Sequence, residues 1–315
     1  MTSRLLRKLK QFLYRTGLLV PFSDIDRHRY LRRLKRARFL DSRYISAHDR
    51  AQFIGDEVVV RVGNQGSYSY FHCNPKSSIE GLLLSQGFFQ QAVFETLSAF
   101  VTPGSVVLDI GANVGTYAIP LAKAFPGCEI HGFEPNPTML ARLRDNIALN
   151  GAVLDGRIRV MPLALSDVAG QLRFFVVRGI EGNPGLSSLR EESLGTADHD
   201  TIEVAVQTLD SIYLDSARRI SAIKIDVQGH ELQVLRGGRK LIERDRPALV
   251  FEHEDSLFST QAEAAAVKES TRAFLAEMGY MGFYISRYGA DLLTRVAWDR
   301  PLNGDVLALP AASAN

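Results

Sequence analysis

The chain has 315 residues, of which 46% are hydrophobic and 23% charged, a globular balance that excludes wholesale disorder and collagen-like repeats. Cys73 and Cys128 are too few for a disulfide framework, so the fold reads as one for a reducing compartment, and no run of 18 apolar residues offers a membrane span. The net charge of +2 conceals an asymmetry: residues 1–50 carry 14 Lys/Arg against 4 Asp/Glu, and the remainder carries 23 against 31.

The basic segment comes first. Leu5, Leu9, Phe12 and Leu13 share one helical face, opposite Arg4, Arg7, Lys8, Gln11 and Arg15. Tyr30, Leu31, Leu34 and Ala37 repeat the pattern against Arg29, Arg32, Arg33 and Arg36, after a break at Pro21 and Ser23. Residues 1–50 are therefore expected to form a basic amphipathic helical arm. Its first 40 residues either make peripheral contact with an anionic membrane or dock on the protein's own body. Leu18-Leu19-Val20 is too short for a secretory core, while the Arg-rich, acid-poor composition also matches an organelle transit peptide. The expected location is cytoplasmic, with possible membrane association.

Residues 51–95 read as a cap. Val58–Val62 and Tyr68–His72 flank Gly63-Asn64-Gln65-Gly66 as a hairpin, and residues 79–99 read as one helix ending at Thr102-Pro103-Gly104. From residue 96 onward, strands and helices alternate. Strands are expected at 106–108, 129–133, 158–165, 222–225 and 248–251, with two last strands at 283–286 and 292–298. Helices are expected at 117–125, 137–150, 230–243 and 261–278. Alternation of this kind predicts an α/β fold, with a mostly parallel sheet covered on both faces. Residues 166–221 interrupt it as an insertion, with strands at 172–177 and 202–206 around a turn-rich stretch at 179–188. A loop that long is often functional.

The sharpest signal is the run from Val107 to Gly115, an apolar strand ending at Asp109 and turning through Gly111, Asn113 and Gly115 into a helix. Glycine permits close backbone approach to a ligand, and ligands of open α/β sheets sit beyond the carboxyl ends of strands. A dinucleotide site wants G-x-G-x-x-G, but Asn113 interrupts that fingerprint. Glu134 ends the next strand, where an acid accepts both hydroxyls of a ribose. A ribose, no pyrophosphate and a positive charge together describe S-adenosylmethionine.

These motifs resemble the FkbM family of S-adenosylmethionine-dependent methyltransferases. The resemblance rests on Asp109–Gly115 (DIGANVG), Phe133–Pro137 (FEPNP), Ala164–Asp167 (ALSD), Thr208–Ser211 (TLDS), Ile223–Glu231 (IKIDVQGHE), Leu235–Gly237 (LRG) and Pro247–Glu252 (PALVFE), in order over roughly residues 100–255. It implies a class I methyltransferase (Rossmann-like) seven-stranded sheet with the last strand antiparallel, spanning 96–315. It also implies that Asp109, Gly111, Asn113 and Gly115 cradle the methionine part of the cofactor. Glu134 would hold the ribose, Pro135 and Asn136 would shape its turn, and Ala164 would lie near the adenine. The family often has Glu where Gln228 stands, which removes any acid role from that position. The implied activity is O-methylation of a hydroxyl on a sugar, glycolipid or secondary metabolite.

Asp226 ends the fourth strand, with Lys224 on the same side as a charge partner. His230, Glu252 and His253 stand at neighbouring strand and helix ends. A hydroxyl acceptor needs a base there, and the order of preference is Asp226, His230, then His253, with Glu252 as a hydrogen-bond acceptor or catalytic carboxylate. Asp226, Glu231, Glu252 and Glu254 also admit a divalent-metal reading, but their spacing does not demand one, and no metal is expected. Two rivals remain: a nicotinamide-dependent oxidoreductase on a similar sheet, and a non-catalytic protein binding a membrane surface through the arm. The acidic body argues against nucleic acid.

Overall fold

The computed structural model describes residues 51–311, except 55–56, 63–67, 75–76, 78, 81–82, 84–89, 152–153, 155, 179–183, 286–292, 298 and 300–302. The expected basic arm at 1–50 lies outside the described residues.

The chain opens with β1 (Ala51–Ile54), β2 (Glu57–Val62) and β3 (Ser69–Cys73), an antiparallel three-stranded sheet. The expected hairpin is its second and third strands. Residues 79, 80 and 83 are helical, but the helix α1 is confined to Gln91–Ser98. Gln90 has φ 47°, a left-handed angle that no continuous helix admits, so the single helix expected over 79–99 is broken there.

The body contains β4 (Val106–Ile110), α2 (Ala118–Ala124), β5 (Glu129–Phe133), α3 (Pro137–Leu149) and β6 (Ile158–Met161). A second block follows: β7 (Ala164–Leu165), β8 (Gly170–Val177), β9 (His199–Gln207) and α4 (Leu209–Tyr213). Next come β10 (Ile220–Ile225), α5 (Glu231–Gly237), α6 (Arg239–Asp245), β11 (Ala248–Glu254), α7 (Gln261–Glu277), β12 (Tyr280–Ile285), β13 (Leu293–Arg295) and β14 (Asn303–Pro310).

The main sheet has the order β13-β12-β14-β11-β10-β4-β5-β6. Strands β6, β5, β4, β10 and β11 are mutually parallel, and β14 runs antiparallel between β11 and β12. This is the expected seven-stranded mostly parallel sheet with its antiparallel last strand, extended at one edge by the three-residue β13. The last strand is β14, whereas the sequence placed it at 292–298. Two further boundaries differ. The strand expected over 158–165 divides near Pro162, and β7 pairs with β9 in a separate sheet of order β7-β9-β8. Proline offers no ladder N–H, so a sheet change there is cheap. The helix expected over 230–243 is two helices, meeting at Gly238.

Both faces of the main sheet are covered. Val107, Ala222 and Val250 pack with Phe94, Leu97, Ile119 and Leu121 on one side. Leu108, Ile110, Ile223 and Phe251 pack with Leu232, Leu241 and Phe274 on the other. Double coverage explains why these strands read as unbroken apolar runs rather than alternating ones. The chain departs from β4 toward β5 and later returns to lay β10 on its other side. A crevice therefore opens beyond the carboxyl ends of β4 and β10. Among the described residues no helix is long and apolar enough to cross a membrane.

Candidate active site

A cavity of about 300 Å³ fills that crevice, at the small end of ligand sites. Gly111, Asn113, Glu134, Pro135, Ala164, Asp226 and Glu252 from the sequence-derived set line it. Asp109, Gly115, Asn136, His230 and His253 do not.

The glycine turn is built by chain packing. The N–H groups of Gly111 and Ala112 donate to the Phe133 carbonyl, at 3.0 and 2.9 Å, joining the ends of β4 and β5. A Cβ on Gly111 would lie 1.9 Å from the Asp226 carbonyl oxygen, and one on Gly115 would lie 2.7 Å from the Leu143 side chain. The close approach that requires glycine is therefore between segments of the protein, where the sequence argument had placed a ligand. Asn113 takes φ 49°, a left-handed angle that Asn tolerates better than most residues.

That turn and the next one grip a single carboxylate. Asn113 N–H donates to Glu134 Oε2 and Asn136 N–H to Glu134 Oε1, each at 2.8 Å. Each oxygen keeps a lone pair. Burial pushes the Glu134 carboxyl up to about 7, against the pull of both N–H groups. Asn136 supports the turn from behind. Its Oδ1 caps α3 by accepting from Thr138 N–H at 3.0 Å, and Pro137 occupies the first helical position. Around Glu134 the wall is apolar, with Phe133, Met139, Leu163, Ala164, Phe174 and Leu186. Phe174 and Leu186 belong to the insertion, so that segment supplies one wall.

The other end is charged. Pleating puts Asp109, Lys224 and Glu252 on one face of the sheet, and pairing sets Lys224 beside Asp109 and Glu252 beside Asp305. The Lys224 ammonium lies 3.0 Å from Asp226 Oδ2 and 4.6 Å from the centre of the Tyr117 ring. Gln228 Nε2 donates to Asp226 Oδ1 at 3.0 Å and to Glu252 Oε2 at 3.3 Å. Burial alone would raise Asp226, but the Lys224 charge and these hydrogen bonds hold it below the usual carboxylate range. Burial and the neighbouring Asp226 charge push Glu252 up to about 9, so it carries a proton at neutral pH. Burial likewise lifts Asp109 to about 6 and Asp305 to about 7. Neither oxygen of Asp109 has a hydrogen bond of ordinary geometry, although the Ala118 backbone N–H favours its charged form.

Buried and half-buried carboxylates thus exceed the neighbouring positive charge, and the buried Asp109 is starved of donors. A cationic ligand with a diol for Glu134 and a ring for the apolar wall fits this arrangement, and S-adenosylmethionine has all three features. A pyrophosphate would meet carboxylates at both ends.

The two histidines stand elsewhere. His253 neighbours Glu252 in sequence, so the pleat turns it to the opposite face, where its ring lies 6.0 Å from that of Phe258. His230 Nε2 shares a hydrogen bond of 2.9 Å with Ser166 Oγ beside the insertion. Burial lowers both rings, His230 to about 4, so both are neutral at pH 7. Sequence reasoning missed Asp305, because β14 was missed. It also missed Tyr117 and Gln90, whose contact depends on the break at Gln90: the Tyr117 hydroxyl donates to Gln90 Oε1 at 2.6 Å.

Residues 109–281 match the family model for the methyltransferase FkbM domain. The chain is 28% identical to the 2-O-methyltransferase NoeI of Sinorhizobium fredii, over 57% of this chain and 76% of that protein. It is 30% identical to the 31-O-demethyl-FK506 methyltransferase FkbM of Streptomyces tacrolimicus, over 43% of this chain and 60% of the relative. The crystal structure of a methyltransferase FkbM from Methylobacillus flagellatus aligns at 17% identity and TM-score 0.44, covering 73% of this chain and 52% of the other.

Proposed function

The chain belongs to the FkbM methyltransferase family, and from that premise we propose that it transfers a methyl group from S-adenosylmethionine to a hydroxyl oxygen of a sugar, glycolipid or secondary metabolite. The observation that carries the reading is that two carboxylate centres line one cavity. Glu134 is held by two backbone N–H groups, and the Asp226–Lys224–Glu252 cluster lines the same cavity. The names of the two sequence relatives describe O-methyl chemistry, which supports the choice of oxygen.

In this reading Glu134 receives the ribose hydroxyls on its free lone pairs. The apolar wall around Ala164 takes the adenine, and Asp109 supplies charge beneath the methionine portion. When bound, the cofactor supplies a methyl group on a positively charged sulfur. Asp226 is the ionised carboxylate lining the acceptor end, so it takes the acceptor hydroxyl's hydrogen bond and then its proton. Lys224 holds Asp226 charged and in place. Burial and the Asp226 charge raise Glu252 toward its neutral form, which favours Asp226 as the base and leaves Glu252 as a hydrogen-bond donor. The neutral His230 and His253 rings lie outside the cavity and take no part. A positioned base of this kind contributes about 10²–10⁴-fold to rate.

The test is mass spectrometry after incubating the chain with isotopically labelled S-adenosylmethionine and glycan or lipid extracts. A labelled methyl ether in the products is expected. Label on nitrogen or carbon only would refute the oxygen assignment.

A further inference from the structure

Two glutamines line the charged end of the cavity, and each has one half of its amide already engaged. Gln228 turns its nitrogen to the Asp226–Glu252 pair, giving one hydrogen to each carboxyl. The ionised Asp226 accepts only, so chemistry fixes that orientation. Gln228 Oε1 makes no hydrogen bond among the described residues. Gln90 is the converse: its Oε1 accepts the Tyr117 hydroxyl, and its Nε2 makes none among the described residues. The cavity is therefore lined by one amide donor and one amide acceptor without protein partners, in addition to the catalytic carboxylate. Both residues hold left-handed backbone angles, φ 47° at Gln90 and φ 55° at Gln228, which long side chains rarely adopt. Such strain persists where surrounding structure enforces it, and it clusters at ligand sites.

The local charge adds a second restriction. Burial and the ionised Asp226 beside them already push Asp109, Glu252 and Asp305 toward their neutral forms. An anionic acceptor would add to that repulsion, while a neutral one would not.

Resting on the methyltransferase reading, we infer that this end of the cavity is an acceptor subsite for a neutral polyol of the sugar type. In it the Gln90 amide nitrogen and the Gln228 amide oxygen grip a hydroxyl adjacent to the one that is methylated. A neighbouring hydroxyl both donates and accepts, so it answers both amide halves at once and leaves the reacting hydroxyl free to meet Asp226.

The experiment is saturation-transfer NMR and calorimetric titration on the full chain saturated with S-adenosylhomocysteine. The probes are methyl glycosides of neutral hexoses and 6-deoxyhexoses, with the matching hexuronates. Neutral glycosides with adjacent free hydroxyls are expected to bind more tightly than the uronates. Gln90→Asn and Gln228→Asn retract each amide by one methylene while easing the backbone angle, so both are expected to fold. Each is expected to weaken glycoside binding by at least about five- to tenfold, the loss of one neutral hydrogen bond to the sugar together with the amide's contact to Tyr117 or to Asp226 and Glu252, and to weaken S-adenosylhomocysteine binding less than glycoside binding. Uronates binding as well as neutral sugars, parental glycoside affinity in both variants, or no glycoside binding to a chain that does bind S-adenosylhomocysteine would each overturn the subsite alone. Failure to bind S-adenosylhomocysteine at all would overturn the methyltransferase reading and the subsite with it.

Discussion

Replacing Glu134 with Gln is nearly isosteric and separates two roles of the carboxylate. Both oxygens now accept backbone N–H groups at 2.8 Å. An amide puts a second donor against one of them, and an unsatisfied buried N–H costs about 1–3 kcal/mol. A gain opposes this loss. The carboxyl titrates at about 7 in the fold against an ordinary 4.5. Keeping it ionised above pH 7 therefore costs about 3 kcal/mol, at roughly 1.4 kcal/mol per pH unit. A raised carboxyl gives its full stability below the unfolded value of 4.5 and loses it as pH climbs through about 7. The Gln variant is thus expected to melt below the parent at pH 5 and close to it at pH 8. Cofactor binding follows a different rule. Gln offers one acceptor to a ribose diol that needs two, and losing a charged hydrogen bond costs about 1.5–3 kcal/mol. That is about a 10- to 150-fold rise in Kd for S-adenosylmethionine. Thermal melts at the two pH values, run beside calorimetric titration, read both quantities. A Kd close to parental at both pH values would refute the assignment of Glu134 to the ribose. A melting deficit independent of pH would refute its raised carboxyl.

Asp226→Asn keeps the shape and removes the charge, so single-turnover methylation should fall about 10²–10⁴-fold, well beyond the lower melt from the lost Lys224 partner and the weaker hold on a cationic cofactor; near-parental turnover would remove the base role. Gly111→Ala forces a Cβ into the Asp226 carbonyl, so the variant should be insoluble or melt far below the parent, and a normal melt would show the β4 turn is not packed as described. Because burial raises Glu252 to about 9, the stability of the ligand-free chain should decline from pH 5 to pH 9, and Glu252→Gln should flatten that slope in denaturant titrations. Arg190 bonds Glu263 at 2.5 Å and sits 5.1 Å from the Phe258 ring, tethering the insertion wall. Arg190→Met should speed cofactor dissociation in stopped-flow measurements with little change in melting, since a part-exposed ion pair contributes only about 0.2–1 kcal/mol.

The central strands were legible because double burial makes each an apolar run, and an acid at or just beyond the end marks where the chain meets the crevice. That logic located β4, β5, β10 and β11, and with them Asp109, Glu134, Asp226 and Glu252. It failed where the signal is tertiary. β14 carries the same signal in the short apolar run Val306–Leu309, but its place between two earlier strands is tertiary and the run was passed over, so Asp305 went unseen. His253 looked like a partner of Glu252 because adjacent letters conceal the alternation of a pleat. The motif glycines were read for a ligand, and the packing adds a reason that sequence does not show: Gly111 faces the Asp226 carbonyl while also lining the cavity. Gln90 lay inside a stretch with helical composition, and only its left-handed backbone reveals that the helix stops there.

The central claim is that this cavity takes S-adenosylmethionine rather than a dinucleotide. Calorimetric titration of the purified chain with S-adenosylmethionine, S-adenosylhomocysteine and NAD tests it most directly. Saturable binding of the first two at one site per chain is expected, with no heat from NAD. Saturable binding of NAD with none of S-adenosylmethionine would contradict the account.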